Sequence, residues 1–160
     1  MIFLKLRNIC SSDYQSVISV VNDWWDGRNM AKLLPKLFFD HFSSTSYILE
    51  EEGQIAGFLI GFLSQSREKE AYIHFVGVHP KYRKQGIGRL LYQQFFDVVK
   101  KNGAKMVRCV TSPINKTSIV YHEKMGFSIE EGDQCLDGIS FHSHYDGQEG
   151  DRVLFVKSLV

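Results

Sequence analysis

An α/β fold on a mixed, mostly antiparallel sheet, with six to seven strands flanked by about four helices, follows from three features of this sequence. Short runs rich in β-branched and aromatic residues recur along the chain, from Ser46 to Glu50, Gln54 to Leu63 and Ala71 to Val78. Between and around them lie segments whose apolar residues repeat at helical spacing. Glycine-bearing turns and helix caps separate the two kinds of segment, in an order that mixes a meander with helix crossovers.

Taken in order, a first strand is expected at Ile2 to Leu6. Ser11-Ser12-Asp13 offers a helix cap before Tyr14, Val17, Ile18 and Val21. A second helical pattern runs from about Met30 to Phe42, with Pro35 marking a break or a first turn. The next two strands flank Glu51-Glu52-Gly53, a short loop that reads as a hairpin. After the strand ending at Val78 comes a basic loop, and then a helix with Ile87, Leu90, Leu91, Phe95, Val98 and Val99 along one face. Asn102-Gly103 supplies a left-handed stop. Met106 to Thr111 is a strand, and Asn115 caps a short helix ending near Gly126. A last strand, Arg152 to Val160, is reached through the polar stretch Glu131 to Gly150.

The length suits one domain, residues 1–160. A net charge of +1 argues against a dedicated nucleic-acid binder, which carries a strong basic excess. Cys10, Cys109 and Cys135 are odd in number and widely spaced, so reduced thiols in a cytoplasm are expected rather than a disulfide framework. Lys5 and Arg7 interrupt the apolar start, and no apolar run approaches the roughly 20 residues that span a bilayer. The expectation is a cytoplasmic protein with no membrane partner.

The stretch VGVHPKYRKQGIGRLLY at residues 76–92 holds, beyond Gly77 in its strand-like start, two glycines at 86 and 88 and the cations Lys81, Arg83, Lys84 and Arg89, with no acid among them. The first turn of a helix leaves backbone N–H groups unpaired at the positive end of its dipole, where an anion satisfies them. Glycine there removes the Cβ atoms that would hold a diphosphate off the backbone. A surface turn with a solvated basic face fits the same residues. The Walker loop does not, for want of Gly-Lys-Ser/Thr, and a dinucleotide fingerprint would need Gly or Ala where Leu91 stands.

Arg83-Lys84-Gln85-Gly86-Ile87-Gly88 resembles the Arg/Gln-x-x-Gly-x-Gly/Ala signature of the GCN5-related N-acetyltransferase (GNAT) superfamily, and follows a strand ending in Val76-Gly77-Val78 as it does there. The run from Asn115 to Phe127, ending His122-Glu123-Lys124-Met125-Gly126-Phe127, resembles a second element of the family at the usual distance. The resemblance implies acetyl-coenzyme A as cofactor. It implies that the backbone of Arg83, Lys84, Gln85, Gly86, Ile87, Gly88 and Arg89 lies around the pyrophosphate, and that Val76, Gly77 and Val78 pair with the pantetheine arm and polarise the thioester carbonyl. Asn115, with Ser118 on the same stripe, is placed beside that arm. Helix capping alone also accounts for Asn115.

An amine of pKa ~10 must lose its proton before it attacks a thioester, and the departing thiolate can gain one. Alternation places Tyr72, His74, Val76 and Val78 on one strand face. Family members with a histidine or glutamate on this strand imply His74 as base; a histidine hydrogen-bonded within a mixed face is the plainer reading. Asn115, Ser118, His122 and Met125 share a helical stripe. Many relatives carry tyrosine where this chain has His122, and Tyr121 is one position earlier. His122 is therefore the first candidate acid and Tyr121 the second, with solvent as a third route.

On the acceptor side, Asn22 to Met30 joins the two N-terminal helices, and the resemblance implies that it overhangs the acceptor cleft. Asp23 and Asp26 suit a cationic amine and Arg28 a carboxylate; ordinary packing of Trp24 and Trp25 with a solvated loop accounts for the segment as well. Leu33 to Phe39 reads as core. His142-Ser143-His144 lacks a third ligand at suitable spacing, so no metal is expected. The function implied is an acetyl-coenzyme A-dependent N-acetyltransferase that transfers directly to a primary amine, on a small molecule or a peptide or protein, in a ternary complex. The alternative is an acyl-coenzyme A-binding module without turnover, and a homodimer is left open.

Overall fold

The computed structural model describes residues 3–160. Met1 and Ile2 lie outside the described residues, and the strand expected from Ile2 is found at Lys5–Asn8 (β1). The remaining elements are α1 (Tyr14–Trp24), α2 (Leu37–His41), β2 (Tyr47–Glu51), β3 (Gln54–Leu63), β4 (Glu70–Val78), α3 (Ile87–Lys101), β5 (Met106–Thr111), α4 (Lys116–Lys124), β6 (Ser128–Ile129), β7 (Gln134–Leu136), β8 (Ile139–Phe141) and β9 (Val153–Ser158). Seven strands follow one another in the order β1-β2-β3-β4-β5-β9-β6, with β7 and β8 as a separate hairpin. The β4–β5 ladder is parallel, and the pairs β1–β2, β2–β3, β5–β9 and β6–β9 are antiparallel. The α/β class on a mostly antiparallel sheet with four α-helices is therefore found, among the described residues.

The chain divides into two compact units, residues 1–63 with 73–103 and residues 64–72 with 104–160. In the first, Val17, Val21, Phe39, Phe58, Ile60 and Phe75 belong to a buried hydrophobic core to which α1 and α2 contribute. Helix α3 packs on β3 through a match of spacings. A Cβ on Gly57 would meet Ile87 Cγ2 at 3.0 Å and Leu91 Cδ1 at 3.2 Å, and one on Gly61 would stand 2.3 Å from Phe95 Cε1. Four strand residues advance about 13.6 Å and eight helical residues about 12 Å, so two glycines four apart receive side chains at i, i+4 and i+8. That seating fixes the start of α3. A salt-bridged arginine ties β1 to the residue capping α1 and to β2: Arg7 donates to both Asp13 oxygens at 2.8 Å and to Glu50. Its guanidinium holds the Asp13 carboxyl below the ordinary carboxylate range.

In the second unit, β5 runs between β9 over six paired residues and the first three residues of β4, Glu70 to Tyr72. Phe127 and Phe155 pack there around α4.

Three expectations need correction. The helical pattern from Met30 to Phe42 is a 3₁₀ turn, Ala31–Leu33, and the five-residue α2, because Pro35 interrupts the backbone ladder. Within Leu33 to Phe39 only Leu34 and Phe39 are buried, while Leu33 and Leu37 are exposed. The polar stretch from Glu131 contains the β7–β8 hairpin, closed by left-handed Asp137 and Gly138.

Candidate active site

The basic loop belongs to the first unit. His79 Nδ1 accepts from the Lys81 amide at 3.0 Å and starts a 3₁₀ turn, Pro80–Tyr82, that buries Tyr82. Arg83 then anchors the loop rather than reaching outward, donating from Nε to the Val78 carbonyl at 3.3 Å and from Nη2 to the Trp24 carbonyl at 2.5 Å. Gln85 Nε2 donates to the Lys81 carbonyl at 3.0 Å. Lys84 and Gly86 both adopt left-handed backbone, at φ +64° and +80°. The first bond into α3 is Leu90 N–H to Gly86 C=O. As a result the six amides from Lys84 to Arg89 have no protein acceptor among the described residues. Left-handed residues alternating with others turn successive amides to one side, the geometry of an anion nest. The Lys84 and Arg89 side chains are exposed and make no ion pair among the described residues.

Upstream of the loop, Val76 and Val78 are half-buried and Gly77 is buried. A Cβ on Gly77 would stand 2.7 Å from Phe58, so glycine there lets β4 lie close to the aromatic core. The alternation read from the sequence holds, with Tyr72, His74, Val76 and Val78 half-buried and their neighbours buried. The His74 ring stacks on Phe38, centroids 4.2 Å apart and 10° between planes, and its Nε2 is 2.6 Å from the Leu33 carbonyl. A carbonyl only accepts, so Nε2 carries the proton and Nδ1 of the neutral ring carries the lone pair. Neither Leu33 nor Phe38 was legible as a partner of His74.

Both tryptophans pack within this unit. Trp24 lies against Phe58 and His79, and Trp25, just past the end of α1, against Phe75. Asn22 Oδ1 accepts from the Met30 and Ala31 amides and clasps the connection, leaving Asp23, Asp26 and Arg28 exposed.

The other candidates belong to the second unit. Asn115 Oδ1 accepts from the Ser118 amide at 3.2 Å and caps α4. His122 is 8% exposed and lies in an aromatic stack, 4.7 Å from Phe155 and edge-on to Phe127. Its Nδ1 donates to the Ser118 carbonyl at 2.7 Å, with the Ser118 hydroxyl at 3.2 Å. Burial pulls the imidazole pKa below its ordinary value, which keeps the ring neutral at pH 7. The polar stripe on α4 is thus in part an internal bond. Tyr121 is 38% exposed, with its ring edge-on to His122.

No group of His, Cys, Asp and Glu able to hold a metal ion occurs among the described residues. His144 Nδ1 lies 3.1 Å from the Gln148 carbonyl in a tight loop. No helix among the described residues is long and apolar enough to cross a membrane. Cys10, Cys109 and Cys135 are free, and burial pushes the Cys109 thiol far up.

A model of the Acetyltransferase (GNAT) family matches residues 6–127. An L-2,4-diaminobutyric acid acetyltransferase from Vibrio parahaemolyticus is 24% identical over 72% of the chain, and the chain spans 64% of that relative's length. Among solved structures, a diaminobutyrate acetyltransferase from Paenibacillus lautus, in complex with L-2,4-diaminobutyric acid and coenzyme A, superposes with a TM-score of 0.71 at 22% identity, covering 99% of this chain and 96% of that one. The ribosomal-protein-S18-alanine N-acetyltransferase from Escherichia coli gives 0.69 at 19% identity, with 98% and 94% covered. At these identities the structures share the fold.

Proposed function

We propose that this chain, which belongs to the Acetyltransferase (GNAT) family, is an acetyl-coenzyme A-dependent N-acetyltransferase acting on a primary amine. The observation that carries the reading is the run of six unpaired amides from Lys84 to Arg89, flanked by two uncommitted cations. A diphosphate fits that donor set in number and in charge. Its binding falls to the backbone of Lys84, Gln85, Gly86, Ile87, Gly88 and Arg89 and to the side chains of Lys84 and Arg89, while Arg83 keeps the loop in shape. Val76, Gly77 and Val78 offer backbone to the pantetheine arm, and Asn115 and Ser118 offer polar side chains. When bound, the cofactor supplies an activated acyl thioester.

The chain's own residues then have proton work to do. His74 takes the proton of the acceptor ammonium at Nδ1, the nitrogen left basic by the Leu33 carbonyl, and Phe38 holds the ring plane. The burial of His122 and the engagement of its Nδ1 favour Tyr121 as the group that protonates the departing thiolate, with His122 setting the end of α4. Transfer is read as direct, without an acyl-enzyme; burial, which disfavours its thiolate, argues against Cys109 as a nucleophile. Free thiols support a reducing, cytoplasmic setting. The family match enters both compact units, which supports one N-acetyltransferase domain over residues 1–160.

Incubating the protein with acetyl-coenzyme A and a panel of amino acids, polyamines and peptides, and following free thiol, tests the reading. Amine-dependent thiol release is expected. Coenzyme A binding with no release from any amine would leave an acyl-coenzyme A-binding module instead.

A further inference from the structure

A cavity of about 190 Å³ lies wholly within the second unit. That is room for several waters or for the end of one small molecule. Leu154 and Phe155 give it apolar surface, and its polar lining is Arg67, Tyr72, Arg108, Glu130, His142 and Tyr145. Tyr72 stands two residues before His74 on the same face of β4.

The hydrogen-bonding capacity of this lining is unbalanced. Its one carboxylate, Glu130, is already taken by Arg108, which also bonds Glu70 at 3.2 Å, and of the acids near His142 and Tyr145, Asp133 accepts from the Ser143 amide at 2.8 Å and Asp146 bonds Arg152 at 2.9 Å. Spare donors remain. Neither ring nitrogen of His142 has a hydrogen-bond partner among the described residues, and Nδ1 is sealed from solvent. An orphaned buried N–H costs more than a bare lone pair, so the neutral ring keeps its proton on Nε2. The Tyr145 hydroxyl has no hydrogen-bond partner among the described residues, and Arg67 reaches Glu70 only at 3.7 Å, beyond hydrogen-bonding range.

We infer that this cavity receives a carbonyl oxygen, of a carboxylate or a carboxamide, borne by the acceptor amine. His142 Nε2–H and the Tyr145 hydroxyl are its donors, with Arg67 at the rim. The inference rests on the N-acetyltransferase reading and narrows its substrate to amino acids and their amides or peptides, as opposed to plain polyamines.

Two arms test it. In the first, the ring C–H signal of His142, assigned with His142→Gln, is followed by NMR while butyrate, butyramide or n-butylammonium is added. A saturable shift with a carbonyl probe, absent with butylammonium and at least fivefold weaker in Tyr145→Phe, is expected; the tighter of butyrate and butyramide tells free carboxylate from amide. No saturable shift with either carbonyl probe, an equal response to butylammonium, or indifference to Tyr145→Phe overturns the inference. In the second arm, thiol release is compared for 4-aminobutyrate, 4-aminobutanamide and n-butylamine. A kcat/KM at least tenfold higher for one of the carbonyl-bearing amines supports it. Equal values overturn the inference and leave the acetyltransferase reading standing, while no release from any amine in this or a wider panel overturns both.

Discussion

His74, half-buried on β4, and His122, buried on α4, are given opposite characters by their surroundings. A carbonyl on Nε2 and a stacked phenyl leave His74 with one basic nitrogen. Burial against Phe155, with Nδ1 spent on Ser118, leaves His122 a neutral core ring. Replacing His74 by alanine should lower kcat by about 10²-fold or more while coenzyme A affinity stays within twofold, as stopped thiol assays and equilibrium binding will show. For His122 the consequence is a stability profile. Its folded pKa lies below the ordinary 6.5, so the unfolded chain binds the extra proton more readily. The stability it contributes is complete above about pH 6.5 and is lost as pH falls through the folded value. Urea midpoints between pH 7.5 and 5 should decline, and His122→Phe, which keeps the aromatic stack, should flatten that part of the decline.

At the scale of elements, the boundaries of β3 and β5 coincide with their sequence patterns, because alternation and β-branched composition act locally. The β7–β8 hairpin escaped because each strand has three residues, none buried, and so leaves no hydrophobic period to read. Leu33 was read as core; its backbone carbonyl, 41 residues from His74, carries no side-chain signal at all. The seating of α3 on β3 is likewise tertiary, and it can be probed directly. Gly61→Ala puts a methyl 2.3 Å from the Phe95 ring and should cost about 1–3 kcal/mol in denaturant unfolding. Adding Phe95→Leu should recover part of that loss. If Gly61→Ala proves neutral, the groove does not fix the helix.

Across the whole molecule, a charge near zero conceals a local excess of cations at the start of α3, which the sequence showed as composition and the backbone now explains. Lys84→Ala with Arg89→Ala should weaken coenzyme A binding roughly tenfold at low salt and less at high salt, since both groups are exposed. The thiols report on the fold as a unit. Cys10 and Cys135 are exposed and Cys109 is buried, so a disulfide reagent should label two thiols in the native protein and the third only on unfolding. Prompt labelling of all three would place Cys109 at the surface.

Calorimetric titration of coenzyme A, alongside its dephosphorylated pantetheine fragment, bears most directly on the amides of Lys84 to Arg89. A saturable one-to-one heat with coenzyme A is predicted, lost or weakened at least tenfold for pantetheine and for Gly86→Val, whose side chain strains the left-handed φ of +80°. Equal affinity for both compounds, or wild-type binding by Gly86→Val, would contradict a diphosphate held by that backbone.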